Sequence, residues 1–148
     1  MKKLLFLSFL LFNAVDGARE VHLDLRTEVD SVLNIERIDD GGAIDIFSKQ
    51  GANYRVVYNG DQRVRVNFRS KNGWKLKSSD SEIPYQGEVR TNSSEEVVDE
   101  QKDSMEIDSS EFSDSQCEFE VIFSSKMPIG ECKAGRYSDR MTISVEAI

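Results

Sequence analysis

The last fourteen residues of the chain, 135–148, alternate apolar and polar side chains almost without interruption. This period of two predicts a β-strand with one dry face and one wet face. Such a strand is not stable alone and needs a sheet around it and a second layer over its apolar face. We therefore expect the fold to close on this strand. Its apolar members are Tyr137, Met141, Ile143, Val145 and Ala147.

The amino terminus has the three parts of a secretory signal peptide. Two lysines follow Met1, an apolar run covers 4–12, and small residues lead to Gly17. The run is too short to span a bilayer, and no later stretch of the sequence is long and apolar enough to do so. We predict a signal peptide over 1–17, followed by a single exported domain over 18–148.

The acidity of the chain is concentrated in one segment. Residues 93–116 contain nine aspartates and glutamates against Lys102 alone, a net charge of 1 − 9 = −8, and the whole chain carries −8. Few apolar side chains interrupt the segment, so we predict an acidic loop insert with one short strand near 104–107. The remainder of the domain is close to neutral, which argues against nucleic acid as a partner.

Cys117 and Cys132 are the two cysteines of the chain. In an exported protein an even count favours a disulfide, which in the chain-entropy view would add about 3 kcal/mol. A catalytic or metal-binding thiol is the competing interpretation, and it lacks partners because His22 is the single histidine. We predict the Cys117–Cys132 disulfide.

Shorter period-two stretches run through the rest of the sequence. The segment 19–29 alternates cleanly, and 54–58 and 63–69 flank an Asn-Gly pair that predicts a tight β-hairpin. Pro84 lies in the extended stretch 82–89, and because proline cannot donate to a ladder we expect an edge strand or a break there.

About nine short strands without helices, in some 130 residues, predict an all-β fold of the immunoglobulin-like antiparallel β-sandwich type. The side chains on the expected inner faces of these strands form the predicted core. They are Val64, Val66, Phe68, Trp74, Phe119, Val121, Phe123, Tyr137, Met141, Ile143 and Val145.

The sequence offers no constellation for catalysis. His22 falls on the polar face of its strand, no serine or cysteine has a base beside it in sequence, and no Cys/His cluster is present. The pattern predicts a protein that is not an enzyme and holds no cofactor or metal ion.

Four stretches together resemble spore coat U-like secreted proteins and colonization-factor-type fimbrial (pilin-like) subunits. Residues 134–139 read Ala-Gly-Arg-Tyr-Ser-Asp before the final alternating strand, 70–76 read Ser-Lys-Asn-Gly-Trp-Lys-Leu, and 83–85 read Ile-Pro-Tyr. The stretch 21–33 is similar to the amphipathic strand that opens the fimbrial subunits. The order and spacing agree over most of the chain after the signal.

The resemblance implies an exported pilin-like domain that a periplasmic chaperone and an outer-membrane usher assemble with other fimbrial subunits, with adhesive contacts as a further role. It would pass through the periplasm to the cell surface. Such subunits join by strand donation, in which one subunit's extended segment fills a groove in the next. The candidate donor strand is 19–29, with Val21, Leu23, Leu25 and Val29 as groove-filling side chains. The alternative is that this strand pairs within its own domain.

A second functional hypothesis stays open. A self-contained secreted β-sandwich could bind a host or cell-wall ligand through the acidic insert or through the basic side chains near 63–77. The two hypotheses differ in assembly, because a closed module stays monomeric.

Overall fold

A computed structural model describes residues 19–148, so the predicted signal peptide over 1–17 lies outside the described residues. The described part is built from strands and two short 3-10 turns, Ser109–Glu111 and Ile129–Glu131. The strands are β1 (Leu33–Arg37), β2 (Gly51–Tyr58), β3 (Val64–Ser70), β4 (Lys75–Lys77), β5 (Glu82–Arg90), β6 (Glu95–Val98), β7 (Ser104–Ile107), β8 (Gln116–Ser125) and β9 (Met141–Ala147).

The strands form two antiparallel sheets. The first sheet has the order β1-β2-β8-β5, and β4 and β6 pair with the beginning and the end of β5. The second sheet has the order β7-β3-β9. The protein is therefore all-β, and its two sheets pack as a sandwich, as the period-two patterns predicted.

The core lies between the inner faces of the sheets. On β3, Val64, Val66 and Phe68 are buried while the residues between them reach the surface, and β8 alternates in the same way through Phe119, Val121 and Phe123. Each fully buried side chain of this size contributes about 1.5–3 kcal/mol. Trp74 is also buried, and its ring packs against Tyr85 with 5.5 Å between the ring centroids.

The predicted core residues nearest the carboxyl terminus are less buried. Tyr137, Met141, Ile143 and Val145 pack against the core but are only half-buried. The physical reason is that β9 is an edge strand, with β3 on one side and no described strand on the other.

The predicted hairpin of 54–58 with 63–69 is wrong. β2 pairs with β1 and β8 in the first sheet, whereas β3 pairs with β7 and β9 in the second, so the chain crosses between the sheets after Tyr58. The Asn-Gly pair makes an arch rather than a two-residue turn, because the amide of Asn59 bonds the amino-terminal part of the chain at Asp30 and Val32.

The segment 93–116 differs from the expected loop. It supplies β6 to the first sheet and β7 to the second. Val98, Met105 and Ile107 are buried between the sheets. β7 alternates, with the exposed Glu106 between the buried Met105 and Ile107, but β6 reads Glu-Glu-Val-Val, with Val97 exposed and Val98 buried, so its sequence shows no alternation.

The predicted disulfide is not formed. Both cysteines have free thiols, Cys117 buried at the start of β8 and Cys132 half-buried beyond its end. A disulfide requires Cα atoms within about 7 Å. β8 has ten residues and each adds about 3.3 Å, which keeps the two thiols apart.

The environments of the thiols predict their reactivity. Burial, together with the nearby carboxylates of Glu111 and Glu118, raises the pKa of Cys117 to about 11. At pH 8 we expect Cys117 to be protected in the native protein, because its buried thiol stays protonated and the thiolate is the reactive form. We expect Cys132, which is only half-buried, to be alkylated. Mass spectrometry should find one modified thiol in the native chain and two after denaturation without a reducing agent. Protection of both thiols after denaturation would contradict the assignment.

Candidate functional site: an exposed segment and an open groove

The amino-terminal segment 19–31 extends from the sandwich without joining either sheet. Val21, Leu23, Leu25 and Val29, the candidate donor side chains, are exposed by 82, 61, 84 and 76 %. Soluble monomers rarely leave so many large apolar side chains in water along one stretch, and such surfaces usually mark an interaction site. The structure therefore places the candidate donor strand outside its own domain's ladders.

The direction of this segment is set where it leaves the sandwich. The side chain of Asn59 accepts a hydrogen bond from the Val32 N–H at 2.8 Å and donates one to the Asp30 carbonyl at 2.9 Å. The Asn59 N–H also donates to the Val32 carbonyl at 3.3 Å. These bonds hold the chain extended at the point where a turn would be needed to fold 19–29 back onto β1.

A groove runs along the open side of the sandwich, between β1 and β9. Each of these strands has a partner on one edge only within the described chain. Their Cα atoms approach within 8 Å at several positions, yet no ladder joins them. The groove here has a volume of about 230 Å³. It is lined by two charged side chains, Glu36 and Arg37, and by Ile35, Tyr54 and the half-buried Met141 and Ile143 of β9.

The groove continues into a larger cavity of about 640 Å³ that reaches the core. Ile44, Ile46, Phe123 and Tyr137 contribute apolar walls, and Met141 lines both cavities. Ile46 and Phe123 belong to the buried core, so the interior is accessible from this side. An apolar core that opens between two unpaired strand edges is the shape expected of a sandwich that lacks one strand.

Arg37 lies at the junction of the two cavities. Burial alternates along β1 so that Leu33, Ile35 and Arg37 share the inward face, which makes Arg37 a charged residue on an otherwise apolar face. Its Nε is 2.6 Å from Asp39 Oδ1, without hydrogen-bond geometry. Its Nη2 is buried and finds no hydrogen-bond partner in residues 19–148.

Asp39 is held by the backbone as well as by Arg37. Its oxygens accept hydrogen bonds from the N–H groups of Asn53, at 2.7 Å, and Gly41, at 2.9 Å. These bonds lower the pKa of Asp39, and the charge of Arg37 adds to the effect. Asp39 therefore stays a carboxylate near neutral pH, and its hydrogen-bonding capacity is largely used by the backbone.

A second polar cluster fixes the start of β9. Asp139 Oδ2 accepts hydrogen bonds from the hydroxyls of Ser70 and Tyr85. Its Oδ1 accepts from the N–H groups of Asn72 at 3.0 Å and Arg140 at 2.7 Å. Burial, followed by the bond to the carboxylate, raises the pKa of Tyr85 well above its usual range, so this phenol remains a donor. We call these five residues the Asp139 cluster.

The turn beside this cluster has unusual backbone geometry. Gly73 and Trp74 both have positive φ, at 69° and 63°. The Trp74 N–H donates to Ser70 Oγ at 2.6 Å, and its carbonyl accepts from the Tyr85 N–H at 3.1 Å. A non-glycine residue in this region costs about 1–3 kcal/mol, offset here by the buried indole ring and these bonds.

The Asp139 cluster unites three of the stretches on which the sequence resemblance rests: 70–76, 83–85 and 134–139. Sequence reasoning identified these stretches but did not predict that their polar residues meet. The hydroxyl and carboxylate types at Ser70, Tyr85 and Asp139 were the available signal. Their contacts are mutual and closed, which makes them a structural clamp rather than a reactive group.

The other charged surfaces pair with one another. Arg63 contacts Asp108 at 2.9 Å, and Arg65 contacts Glu106 at 3.5 Å and Glu146 at 3.3 Å. Arg63, just before β3, and Arg65, on β3, thus lie beside carboxylates on or next to β7 and β9. Exposed pairs of this kind contribute about 0–1 kcal/mol each.

Two findings bear on chemistry and on membranes. Across residues 19–148, no group of three or more His, Cys, Asp and Glu residues is arranged to hold a metal ion. His22 is exposed, 3.4 Å from Glu20. Within the same residues, no helix has the length and hydropathy needed to cross a membrane.

A scan against protein-family models finds no family that matches the chain, and a search of curated proteins finds no significant match. The features of this chain that bear on its function are the segment 19–31 and the groove.

Proposed function

We propose that this protein is a structural subunit of a bacterial surface fimbria or coat, assembled by strand donation, with an immunoglobulin-like, pilin-like sandwich. The supporting observation is the coexistence of two unsatisfied parts. One is an extended segment with four exposed apolar side chains, and the other is a groove with both apolar and charged walls between two unpaired strand edges. The segment of one copy would fill the groove of the next.

The two parts match in chemistry. The segment offers apolar side chains at every second position from 21 to 29 except Thr27, and a strand placed between β1 and β9 would turn one face to the core and the other to solvent. Each of Val21, Leu23, Leu25 and Val29 would contribute about 1.5–3 kcal/mol on burial, before the cost of ordering. The backbone of the segment would also satisfy the unpaired N–H and C=O groups of the edge strands.

Insertion of a strand into the groove would require β1 and β9 to move apart. Paired strands lie about 4.7–4.9 Å apart, so a strand bonded to both edges needs nearly 10 Å between them. The Cα atoms of β1 and β9 are within 8 Å at several positions. β1 would therefore move outward during assembly, and this is easiest for a strand that pairs on one edge only.

The proposal includes a route to the surface. The signal peptide over 1–17 would direct export, and a periplasmic chaperone would cover the open groove until an outer-membrane usher exchanges it for the donor segment of another subunit. An exposed apolar groove and a free strand edge would aggregate without such protection. The role is mechanical and not enzymatic, and adhesive contacts can accompany it.

Removing residues 19–29 tests the proposal. We expect the full exported chain to form oligomers and the truncated chain to be monomeric, because the donor is gone while β1 to β9 are intact. Size-exclusion chromatography with light scattering measures the difference. The matched control changes outward-facing charges of the segment, Asp24→Asn with Glu28→Gln, and should still assemble.

Two results would count against the proposal. Oligomers of unchanged size after truncation would exclude donation of this segment. A monomeric full chain at all concentrations would favour the self-contained binding module instead.

A further inference from the structure

Arg37 has an unfilled hydrogen-bonding requirement. Its side chain is 26 % exposed, yet Nη2 is buried and has no hydrogen-bond partner among the described residues. A buried donor without an acceptor is destabilising, and the penalty is larger for a charged group. An acceptor that arrives from outside the subunit would remove this penalty.

The position of Arg37 limits where that acceptor can come from. The residue lines both the narrow groove beside β1 and the larger cavity below it. Asp39, the nearest carboxylate, already accepts from Asn53 and Gly41. Nη2 itself is buried in this arrangement, so a strand lying in the groove would reach it once β1 has moved outward.

The donor segment carries one polar residue on its apolar face. The odd-numbered positions from 21 to 29 are apolar except for Thr27. The carboxylates of the segment, Glu20, Asp24, Glu28 and Asp30, occupy even-numbered positions and would face solvent when the apolar side chains face the core. Thr27 is therefore the side chain of the segment that can bring an oxygen into the groove.

We propose that the Thr27 hydroxyl of a second copy accepts a hydrogen bond from Arg37 and that this pair sets the register of the inserted strand. The inference rests on the proposed function, since it requires the segment 19–31 of another copy to occupy the groove. The hydroxyl and the guanidinium are the polar members of two otherwise apolar faces.

The pair would discriminate between registers because of the period of two. A slip by one residue would turn Asp24 and Glu28 toward the core, and a slip by two would place Leu25 or Val29 against Arg37. In either case the guanidinium would stay unsatisfied. The correct register alone brings donor and acceptor together.

A double-mutant cycle on the full exported chain tests the inference, with Thr27→Val, Arg37→Met and the double variant compared with wild type. The measured quantity is the subunit dissociation constant, from light scattering over a dilution series. We expect each single variant to dissociate about tenfold more readily, and the double variant to be no weaker than either single one, because two apolar partners leave no donor unsatisfied.

Matched controls distinguish loss of the Thr27–Arg37 hydrogen bond from general effects of substitution on assembly. Thr27→Ser keeps the hydroxyl and should keep wild-type assembly. Arg69→Met removes the same charge from an exposed position on β3 and should also leave assembly unchanged. The thermal unfolding of diluted monomers should not respond to Thr27→Val, because Thr27 is exposed in the monomer.

The outcomes distinguish the two proposals. Assembly in which the effects of the two substitutions simply add would overturn the Thr27–Arg37 pair and leave strand donation standing. Absence of assembly in the wild-type chain would overturn strand donation itself, and the register inference with it.

Discussion

Fusing a second copy of residues 19–31 to the carboxyl terminus should convert the chain into a stable monomer. β9 ends at Ala147, and the Ile148 N–H still bonds the Arg63 carbonyl at 2.9 Å on the β3 side, so the terminus continues the line of β9 and leaves its other edge unpaired within the described residues. A four-residue linker containing Asn-Gly would let the added segment return antiparallel to β9 and enter the groove. The native segment 19–29 is deleted in this chain, so that it cannot donate.

The expected gain is large because the added segment acts as an intramolecular ligand. A short flexible linker gives an effective concentration of order mM. For a segment that binds with a dissociation constant near 1 μM, the free energy of unfolding rises by about 4 kcal/mol. For a domain of this size that corresponds to roughly 8–16 °C in melting temperature. Circular dichroism melts of the truncated chain with and without the fusion measure it.

The control is the same fusion with Leu23→Asp and Leu25→Asp in the added copy. Its linker and length are identical, but two carboxylates cannot enter an apolar groove without a large desolvation cost. This chain should melt like the truncated one. Equal melting of both fusions would show that the groove does not accept the segment.

The sequence predicted the sandwich and most of its core because those depend on alternation alone. Val64, Val66 and Phe68 are inward on β3 whichever strand lies beside them. The period of two identifies the buried face, but it contains no information about which sheet a strand joins. The β2–β3 connection shows this limit, since Asn59 bonds Asp30 and Val32 rather than closing a hairpin.

The sequence predicted an edge strand or a break at Pro84, and the structure excludes the edge strand. β5 is not an edge strand, because β8 pairs on one side and β4 and β6 pair with it as well. The Pro84 carbonyl accepts from the Lys126 N–H, just beyond the last residue of β8. The missing N–H of the proline therefore falls where the β8 ladder ends, and no interior bond is lost.

The sequence predicted the donor segment of the candidate site but not the groove. The alternation in 19–29 is visible in the sequence, and so is its apolar content. The groove depends on the free edges of β1 and β9 and on the inward position of Arg37, which are properties of the tertiary arrangement. Arg37 follows the alternating Leu33 and Ile35, and the sequence does not indicate whether its side chain points inward or toward solvent.

The Asp139 cluster leads to the second large prediction. Asp139→Ala removes the acceptor for two hydroxyls, Ser70 and Tyr85, and for two backbone N–H groups. Tyr85 is buried, so its hydroxyl would lose its partner away from water. Each unsatisfied buried donor costs about 1–3 kcal/mol. We expect the free energy of unfolding to fall by about 3–4 kcal/mol, measured by urea denaturation.

Two further variants serve as references for the loss of stability expected for Asp139→Ala. Asp80→Ala removes an exposed carboxylate that lies 3.8 Å from Lys133, with both side chains 70 % exposed, and should change stability by less than about 0.5 kcal/mol. Tyr85→Phe removes one donor and leaves Asp139 with its other three, so a loss of about 1–1.5 kcal/mol is expected. A loss for Asp139→Ala no larger than that for Tyr85→Phe would contradict a four-donor clamp.

The fused monomer is the right background for these measurements, because assembly would otherwise add its own free energy to the stability.

In the unfused full chain the same Asp139→Ala substitution should also weaken assembly. The cluster holds residues 138–140 against Lys77 and Lys71, and those residues lead directly into β9. If the first residues of β9 can shift, β9 forms a less complete ladder with an incoming strand. A loss of stability in the fused chain without a loss of assembly in the full chain would mean that β9 is positioned by β3 alone.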